Sequence, residues 1–211
     1  EKIKQFKKGC HYLMMSATPI PRTLNFAMSY LHDLSLMTTA PDSRIPIITT
    51  ACRYNEKTID DAIQREIKRG GQIYYVYNDV DRIQYRHRDI SSRHPTLRIG
   101  IAHAQLNKRE LEHTMHNFYN HHLDMIVCST VIESGIDISN ANTIIIERSD
   151  KFGLAQLHQL RGRVGRSSQQ GYAYLLNPET GDITAEAEKR LASIVQCKDL
   201  GTSFQLALRD L

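Results

Sequence analysis

Hydrophobic residues along most of this chain alternate between short continuous runs and stripes with helical spacing. Apolar runs of strand length occupy residues 10–16, 47–53, 72–77, 97–102, 125–128, 143–146 and 172–176. Between these runs, apolar residues recur every three or four positions, as Ile59, Ile63 and Ile67 do, which is the spacing of one helix face. Strands that alternate with helices predict an α/β fold, with a mostly parallel sheet covered by helices on both faces.

Residues that favour helix ends bracket several of the predicted helices. Asn55 and Asn107 are placed to cap the first turns of two helices, and Gly70-Gly71 is placed to end the first of them. Further helices are predicted over residues 154–164 and 185–211. The apolar pattern is therefore divided into segments of ordinary helix and strand length.

Prolines and polar residues separate the start of the chain from the regular alternation. Pro19 and Pro21 prevent a helix after the first apolar run, so the hydroxyls of Ser16 and Thr18 are expected at a strand end. The polar stretch 33–44 is predicted to be a linker. The chain is thus predicted to comprise residues 1–44, a main α/β unit over residues 45–180, and a terminal helical segment over residues 181–211.

The composition is that of an ordinary globular protein with a slight basic excess. Hydrophobic residues make up 41% and charged residues 24% of the 211, and the net charge is +4. This balance permits nucleic acid as a partner without requiring it. No apolar run approaches the length that spans a bilayer, so no membrane partner is expected. The first residues lack Met and an apolar signal core, which favours an internal cut from a longer protein.

Cysteines and histidines do not form a metal-binding pattern. The four cysteines are scattered, as expected of reduced thiols in a cytoplasmic protein. The densest histidines are His113, His116, His121 and His122, and no cysteine or carboxylate joins them at ligand spacing. Their neighbours are polar, so a solvated helix end is the simpler interpretation and no metal site is predicted.

The run from Gln156 to Ser167 carries the densest candidate chemistry. Arg161, Arg163 and Arg166 fall within six residues together with two glycines. Because a buried unpaired guanidinium is too costly, these arginines need anionic partners. Their planar donor forks suit phosphate oxygens and the charge that develops on a transferring phosphoryl group. The alternative is a solvated basic face of a helix.

Polar side chains follow three of the predicted strands at the point where each strand ends. Asn78 follows the strand at 72–77, His103 follows the strand at 97–102, and Ser129 and Thr130 follow the strand at 125–128. Ligands of open parallel sheets bind beyond the carboxyl ends of the strands, where hydroxyls and backbone N–H groups suit phosphates. Each residue alone is better explained as a helix cap or a turn residue.

Two expected parts of a nucleotide site are missing from the sequence. There is no Gly-x-x-x-x-Gly-Lys-[Ser/Thr] loop to hold phosphates, and no acidic pair follows an apolar strand to hold magnesium. An arginine finger acts on a nucleotide that is bound elsewhere. The simplest interpretation is one half of a two-part ATPase, so the arginines are expected to be exposed and unpaired in this chain.

Several motifs match a known family in order along the chain. Ser16-Ala17-Thr18 matches its motif III, Cys128 to Asp137 its motif V, and Phe152 to Ser167 its motif VI. The chain resembles the second motor lobe of superfamily 2 helicases, a RecA-like fold. Within them, Gln72 to Val80 and Thr143 to Arg148 favour the family of bacterial transcription-repair coupling factors, whose motor is similar to that of the RecG helicase.

The resemblance implies a role for each motif. Arg163 and Arg166 would be arginine fingers that reach the ATP γ-phosphate, and Gln159 would help to couple that site to motion. The remaining implied roles are ribose contact by Gly135 and Asp137, coupling of ATP state to lobe movement by Ser16 and Thr18, and DNA backbone contact by Asn78, His103, Ser129 and Thr130. Residues 1–44 would end the first lobe, and residues 181–211 would begin the family's helical translocation motif.

The resemblance also implies a function for the longer protein. It would be an ATP-dependent double-stranded DNA translocase that displaces stalled RNA polymerase and helps to recruit excision-repair proteins through other domains. ATP and Mg²⁺ would be bound mainly by the first lobe, so this chain alone is expected to be inactive. The alternatives are a RecG-type fork-remodelling lobe and an ATP-independent nucleic-acid-binding module. A small-molecule α/β enzyme is disfavoured because the sequence shows no nucleophile–base arrangement.

Overall fold

Strands and helices alternate along the part of the chain that the computed structural model describes, which is residues 35, 45–130 and 137–196. The elements are β1 (Ile48–Arg53), α1 (Glu56–Lys68), β2 (Gln72–Val76), α2 (Ile83–Arg93), β3 (Ile99–Ala102), α3 (Lys108–Tyr119), β4 (Met125–Cys128), β5 (Ala141–Glu147), a 3-10 turn (Ser149–Lys151), α4 (Leu154–Arg161), β6 (Tyr172–Asn177) and α5 (Ala185–Gln196). The strand predicted over residues 10–16 and the last predicted helix beyond residue 196 lie outside the described residues.

The six strands form one sheet in the order β1-β6-β5-β2-β4-β3. Every neighbouring pair is parallel, so the predicted parallel α/β fold is confirmed. Because β2, β4 and β3 are neighbours, the polar residues that follow these three strands share one edge of the sheet. The first and last described strands along the chain, β1 and β6, lie side by side.

Helices cover both faces of the sheet, as the uninterrupted apolar strands predict. One face packs against α1 and α2 through Ile59, Ile63, Ile83 and Ile90. The other face packs against α3, α4 and α5, and its core contains Phe118, Leu157, Leu160, Leu191 and Ile194. The central strands β2, β4 and β5 are buried along their whole lengths.

Asparagine side chains start two helices at the predicted positions. Asn55 Oδ1 accepts a hydrogen bond from the backbone N–H of Thr58 at 3.3 Å, and Asn107 Oδ1 accepts one from Glu110 N–H at 2.9 Å. Each bond satisfies a backbone donor that the helix itself leaves unpaired. The longest described helix, α1, has 13 residues, and no helix within the described ranges has the length and apolar content to cross a membrane.

Helix α4 ends earlier than its sequence pattern predicts. The helix expected over residues 154–164 stops at Arg161, with Gly162 as its C-cap. Gly165 then adopts φ +69°, a left-handed conformation that no α-helix contains and that glycine tolerates best. Arg163 and Arg166 therefore lie on the loop that leads to β6, and not on one face of a helix.

Candidate functional site

The loop after α4 holds Arg166 beside a carboxylate. Arg166 Nη1 lies 2.9 Å from Asp137 Oδ1, and its Nε donates to the carbonyl oxygen of Gly162 at 3.1 Å. The side chain of Arg166 is 27% exposed and that of Asp137 is 60% exposed. The expectation that Arg166 is unpaired is therefore wrong. A partly buried guanidinium needs an anionic oxygen, and Asp137 is close enough to supply one.

Three charged residues of the predicted nucleotide site act electrostatically on one buried tyrosine. Burial raises the pKa of Tyr74 on β2, while the charges of Arg163 and Arg166 act to lower that pKa and the charge of Asp137 acts to raise it. The geometric contact between the two motifs is the 2.9 Å pair of Arg166 and Asp137. The structure thus brings together two predicted site residues from two separate motifs, and the charge of Arg163 acts on the same tyrosine.

The first arginine of the run has a structural role. Arg161 Nη1 donates to the carbonyl oxygen of Ile194 at 2.9 Å, and its Nη2 donates to His158 Nδ1 at 3.2 Å. The bond to Ile194 connects α4 to α5, whereas the bond to His158 lies within α4, so Arg161 is also not unpaired. His158 is buried, and burial together with the charge of Arg161 lowers its pKa to about 4. Gln159, the predicted coupling residue, is partly exposed on the same helix.

The carboxyl edge of the sheet brings the four predicted DNA-contact residues together. The backbone N–H of Ser129 donates to the carbonyl oxygen of Ala102 at 3.0 Å, which joins the ends of β4 and β3. Asn78 is exposed and Thr130 is partly exposed, whereas Ser129 and His103 are 3% and 9% exposed. Asn78 therefore presents more surface at this edge than Ser129 or His103 does.

Three predicted site residues have no described geometry. Ser16 and Thr18 lie before the described ranges, and Gly135 lies between them. Their assigned roles in coupling and in ribose contact remain predictions.

A buried polar network at the same edge was not singled out from the sequence. Glu147, at the end of β5, is 7% exposed. Its Oε2 accepts a hydrogen bond from Tyr75 Oη at 2.6 Å, and its Oε1 lies 2.6 Å from Arg86 Nη2. Burial raises the pKa of Tyr75, and the neighbouring Glu147 charge raises it further. The only sequence signal was a single acidic residue directly after the apolar run 144–146.

The residues around Arg166 fit phosphate oxygens and do not fit a metal ion. The guanidinium of Arg166 already binds a carboxylate oxygen, and phosphate oxygens have the same charge and acceptor chemistry. Among residues 45–130 and 137–196, no group of three or more His, Cys, Asp or Glu side chains could hold a metal.

The chain is similar over its full length to several curated proteins. The transcription-repair-coupling factor of Escherichia coli K12 is 51% identical over all 211 residues, and those of Haemophilus influenzae and Staphylococcus aureus are 49% and 46% identical. The chain covers 18% of each of these relatives. The resemblance inferred from the motifs is confirmed by these identities.

Solved structures show the same architecture. A structure of RecG bound to a three-way DNA junction aligns with 96% of this chain and 28% of the RecG chain, with 32% identity and a TM-score of 0.77. Saccharomyces cerevisiae Dbp5 bound to RNA and ADP BeF3 matches 92% of this chain and 51% of its own, with 17% identity and a TM-score of 0.63, which supports the fold alone. The helicase conserved C-terminal domain family matches residues 55–168, more than half of the chain. The chain therefore belongs to the helicase conserved C-terminal domain family.

Proposed function

We propose that this chain is the second motor lobe of an ATP-dependent double-stranded DNA translocase. In the longer protein, the motor would displace stalled RNA polymerase and couple transcription to nucleotide excision repair. The observation that carries the proposal is the 46–51% identity, over the whole chain, to proteins named transcription-repair-coupling factor. The same proposal includes a cytoplasmic location. It also includes RNA polymerase and excision-repair proteins as partners.

The proposed role of this lobe in hydrolysis is to supply positive charge. Arg163 and Arg166 would face the γ-phosphate of ATP, which is bound with Mg²⁺ mainly by the first lobe. Guanidinium groups in this position stabilise the charge that develops as the phosphoryl group leaves. Arg166 would exchange Asp137 for phosphate oxygens when the lobes close, and Asp137 together with Gly135 would contact the ribose. Gln159 would transmit the closure to the rest of the lobe.

The proposed role of the carboxyl edge is to hold the DNA backbone. Asn78, His103, Ser129 and Thr130 are small or neutral polar residues, which suit phosphate contacts that do not depend on base sequence. The proposal is supported by the position of these residues at adjacent strand ends and by the DNA present in the similar RecG structure. Ser16 and Thr18 would couple these DNA backbone contacts to the state of the bound nucleotide.

The arginine role is tested by substitution in a longer protein that includes the first lobe. Arg163→Ala and Arg166→Ala should each slow DNA-stimulated ATP hydrolysis by about a thousandfold or more, because an arginine finger stabilises the transition state. Binding of ATP, measured with a fluorescent analogue, should fall far less. Arg98→Ala is the matched control, since Arg98 pairs with Asp124 at the opposite edge of the sheet. An equal loss of ATP binding and hydrolysis would contradict the finger role.

The chain on its own should not hydrolyse ATP. It lacks a phosphate-binding loop and an acidic magnesium site in its sequence. Purified chain is mixed with ATP, Mg²⁺ and duplex DNA, and release of phosphate is measured. DNA-stimulated turnover above the background of the Arg163→Ala variant would refute a two-lobe active site.

Fork remodelling by the same motor is the second candidate function, favoured by the similarity to RecG at 32% identity. The two functions differ in substrate, because one motor acts on a stalled polymerase and the other on branched DNA. The longer protein is therefore assayed for displacement of a stalled transcription complex and for unwinding of a model fork. Activity on forks without displacement of polymerase would favour the RecG-type function, and DNA binding that no ATP analogue affects would favour an ATP-independent module.

A further inference from the structure

Arg86 on α2 makes three polar side-chain contacts at the carboxyl edge. Its Nη2 binds Glu147 Oε1 at 2.6 Å, and its Nη1 donates to Tyr54 Oη at 2.9 Å and to Asp89 Oδ2 at 3.1 Å. The side chain of Arg86 is only 14% exposed, and that of Glu147 is 9% exposed. The guanidinium is thus held by β5, by the connection between β1 and α1 and by its own helix, and it is mostly shielded from water.

The same guanidinium packs against the residue that follows β2, immediately before Asn78. The Cζ atom of Arg86 lies 5.4 Å from the ring centroid of Tyr77 and 5.1 Å from that of Tyr54. Tyr77 is fixed on its other side, because its backbone N–H donates to the carbonyl oxygen of Cys128 at 2.8 Å. The residue that precedes Asn78 is therefore held between β4 and Arg86.

The loop after Asn78 is fixed to the same helix. The side chain and the carbonyl oxygen of Asp79 each accept a hydrogen bond from the backbone N–H of Arg82 at 3.2 Å. The backbone N–H of Arg86 in turn donates to the carbonyl oxygen of Arg82 at 3.0 Å, in the first turn of α2. The side chain of Arg86 therefore packs at the start of the loop that presents Asn78, and its backbone belongs to the helical turn in which that loop ends.

Glu147 connects this loop to the strand that leads to the arginine run. It ends β5, beside β2, and binds Tyr75 of β2 as well as Arg86. The residues that follow Glu147 form the 3-10 turn and then α4. A change in the orientation of α2 would therefore have to break contacts to β5, which a buried charged pair strongly resists.

We propose that Arg86, held in place by Glu147, is a positioning residue that fixes the Asn78 loop and so determines how tightly this lobe holds the DNA backbone. The inference rests on the proposed function, since it assumes that Asn78 contacts DNA. Arg86 itself does not contact a phosphate, because its terminal nitrogens are engaged with Glu147, Asp89 and Tyr54 in a shielded site.

The inference is tested in a longer protein that contains both lobes, with duplex DNA of random sequence as the probe. The variants are Arg86→Met, which removes the guanidinium, and Arg86→Lys, which keeps a charge beside Glu147 but removes the planar fork. Each is also made together with Asn78→Ala. Arg98→Met is the matched control, because Arg98 makes a comparable 2.6 Å ion pair with Asp124 at the opposite edge.

We expect Arg86→Met to weaken DNA binding on the order of tenfold, and Arg86→Lys to give part of that loss. The loss should appear as a higher KM for DNA in the ATPase assay, with kcat at saturating DNA unchanged. In the Asn78→Ala background, Arg86→Met should weaken binding no further, because both changes act through one contact. The slope of log affinity against log salt should stay that of the parent, since no phosphate contact by Arg86 is lost.

Four outcomes would decide against the inference or its basis. Unchanged DNA affinity of a folded Arg86→Met protein, or full additivity with Asn78→Ala, would overturn the positioning role, and a shallower salt slope would make Arg86 a direct phosphate contact. A parent protein that does not bind duplex DNA would instead overturn the proposed function. If Arg86→Met does not fold, as judged by circular dichroism, Arg86→Lys decides the question with the same measurements.

Discussion

At the scale of single residues, the Arg166–Asp137 pair determines how available the arginine is. An ion pair between partly exposed side chains contributes about 0–1 kcal/mol, since water screens both charges. Such a pair orients the guanidinium without holding it strongly. The highly charged phosphates of a nucleotide compete with one carboxylate on favourable terms, so the pair is compatible with a finger that changes partners.

Gly165 sets the path of the loop that carries Arg166. It has φ +69°, and a Cβ placed on it would lie 2.9 Å from Ile47 Cγ1. We expect Gly165→Ala to lower the free energy of unfolding by about 2–3 kcal/mol, from backbone strain and a packing clash together. Urea denaturation of the purified chain measures this change.

Gly70 provides the matched control for Gly165. It has a similar φ of +74°, but a Cβ on it would meet no atom within 4 Å. Gly70→Ala should therefore lower the free energy of unfolding by only about 1 kcal/mol, the strain alone. If both variants lost the same free energy of unfolding, the contact with Ile47 would not contribute to the effect of Gly165→Ala.

At the scale of elements, Arg161 joins the end of α4 to the last turn of α5. Its Nη1 bond to the Ile194 carbonyl oxygen is a polar link between these helices, which also pack through apolar side chains. We expect Arg161→Met to increase amide hydrogen exchange across α5 by about tenfold, because a charged hydrogen bond contributes about 1.5–3 kcal/mol. Exchange measured by mass spectrometry on the purified chain checks this.

Lys189→Met is the appropriate comparison for this helix. Lys189 lies on the exposed face of α5, and its loss removes a similar length of charged side chain without touching α4. Exchange in α5 should remain as in the parent. A similar increase for both variants would mean that α5 is sensitive to charge in general, and not to the bond from Arg161.

The elements were predictable from local sequence, whereas the contacts of the site were not. The apolar strands and the caps Asn55 and Asn107 follow from spacing and residue type, which depend on near neighbours in the chain. The end of α4 was misplaced because the left-handed glycine after it cannot be distinguished from a helical one by pattern. The Arg86–Glu147 contact joins residues 61 positions apart, which no periodicity encodes.

At the scale of the whole molecule, His158 makes stability depend on pH. Its Nδ1 accepts a bond from the Arg161 guanidinium, so the native imidazole is neutral, and its pKa of about 4 lies below the ordinary 6.5. The unfolded chain therefore binds more protons between these values. The resulting stability is fully present above pH 6.5 and is lost as the pH falls toward 4, by about 3 kcal/mol in all.

Urea denaturation at pH 7.0 and pH 5.0 measures this dependence. The parent chain should lose about 2 kcal/mol between these values from His158, and His158→Gln, which keeps an acceptor for Arg161, should lose correspondingly less. His113→Gln serves as the control, because His113 is exposed on α3 and its removal should leave the pH dependence as in the parent. If the free energy of unfolding of the parent and of His158→Gln changed equally with pH, His158 would not be the source of the pH dependence.

The strand order has a geometric consequence for movement of the lobe. The chain enters the sheet at β1 and leaves it at the adjacent β6, so the connections before residue 48 and after residue 177 both lie on the β1 side of the sheet. Strand β3 lies five strand spacings from β1, about 24 Å at ~4.8 Å each. A rotation of about 10° around the β1 side displaces β3 by about 4 Å and β6 by less than 1 Å. The strands that are followed by Asn78, Ser129 and His103 would therefore travel farthest. A small angular change at the chain connections would move these proposed DNA-contact residues by roughly one nucleotide spacing of duplex DNA.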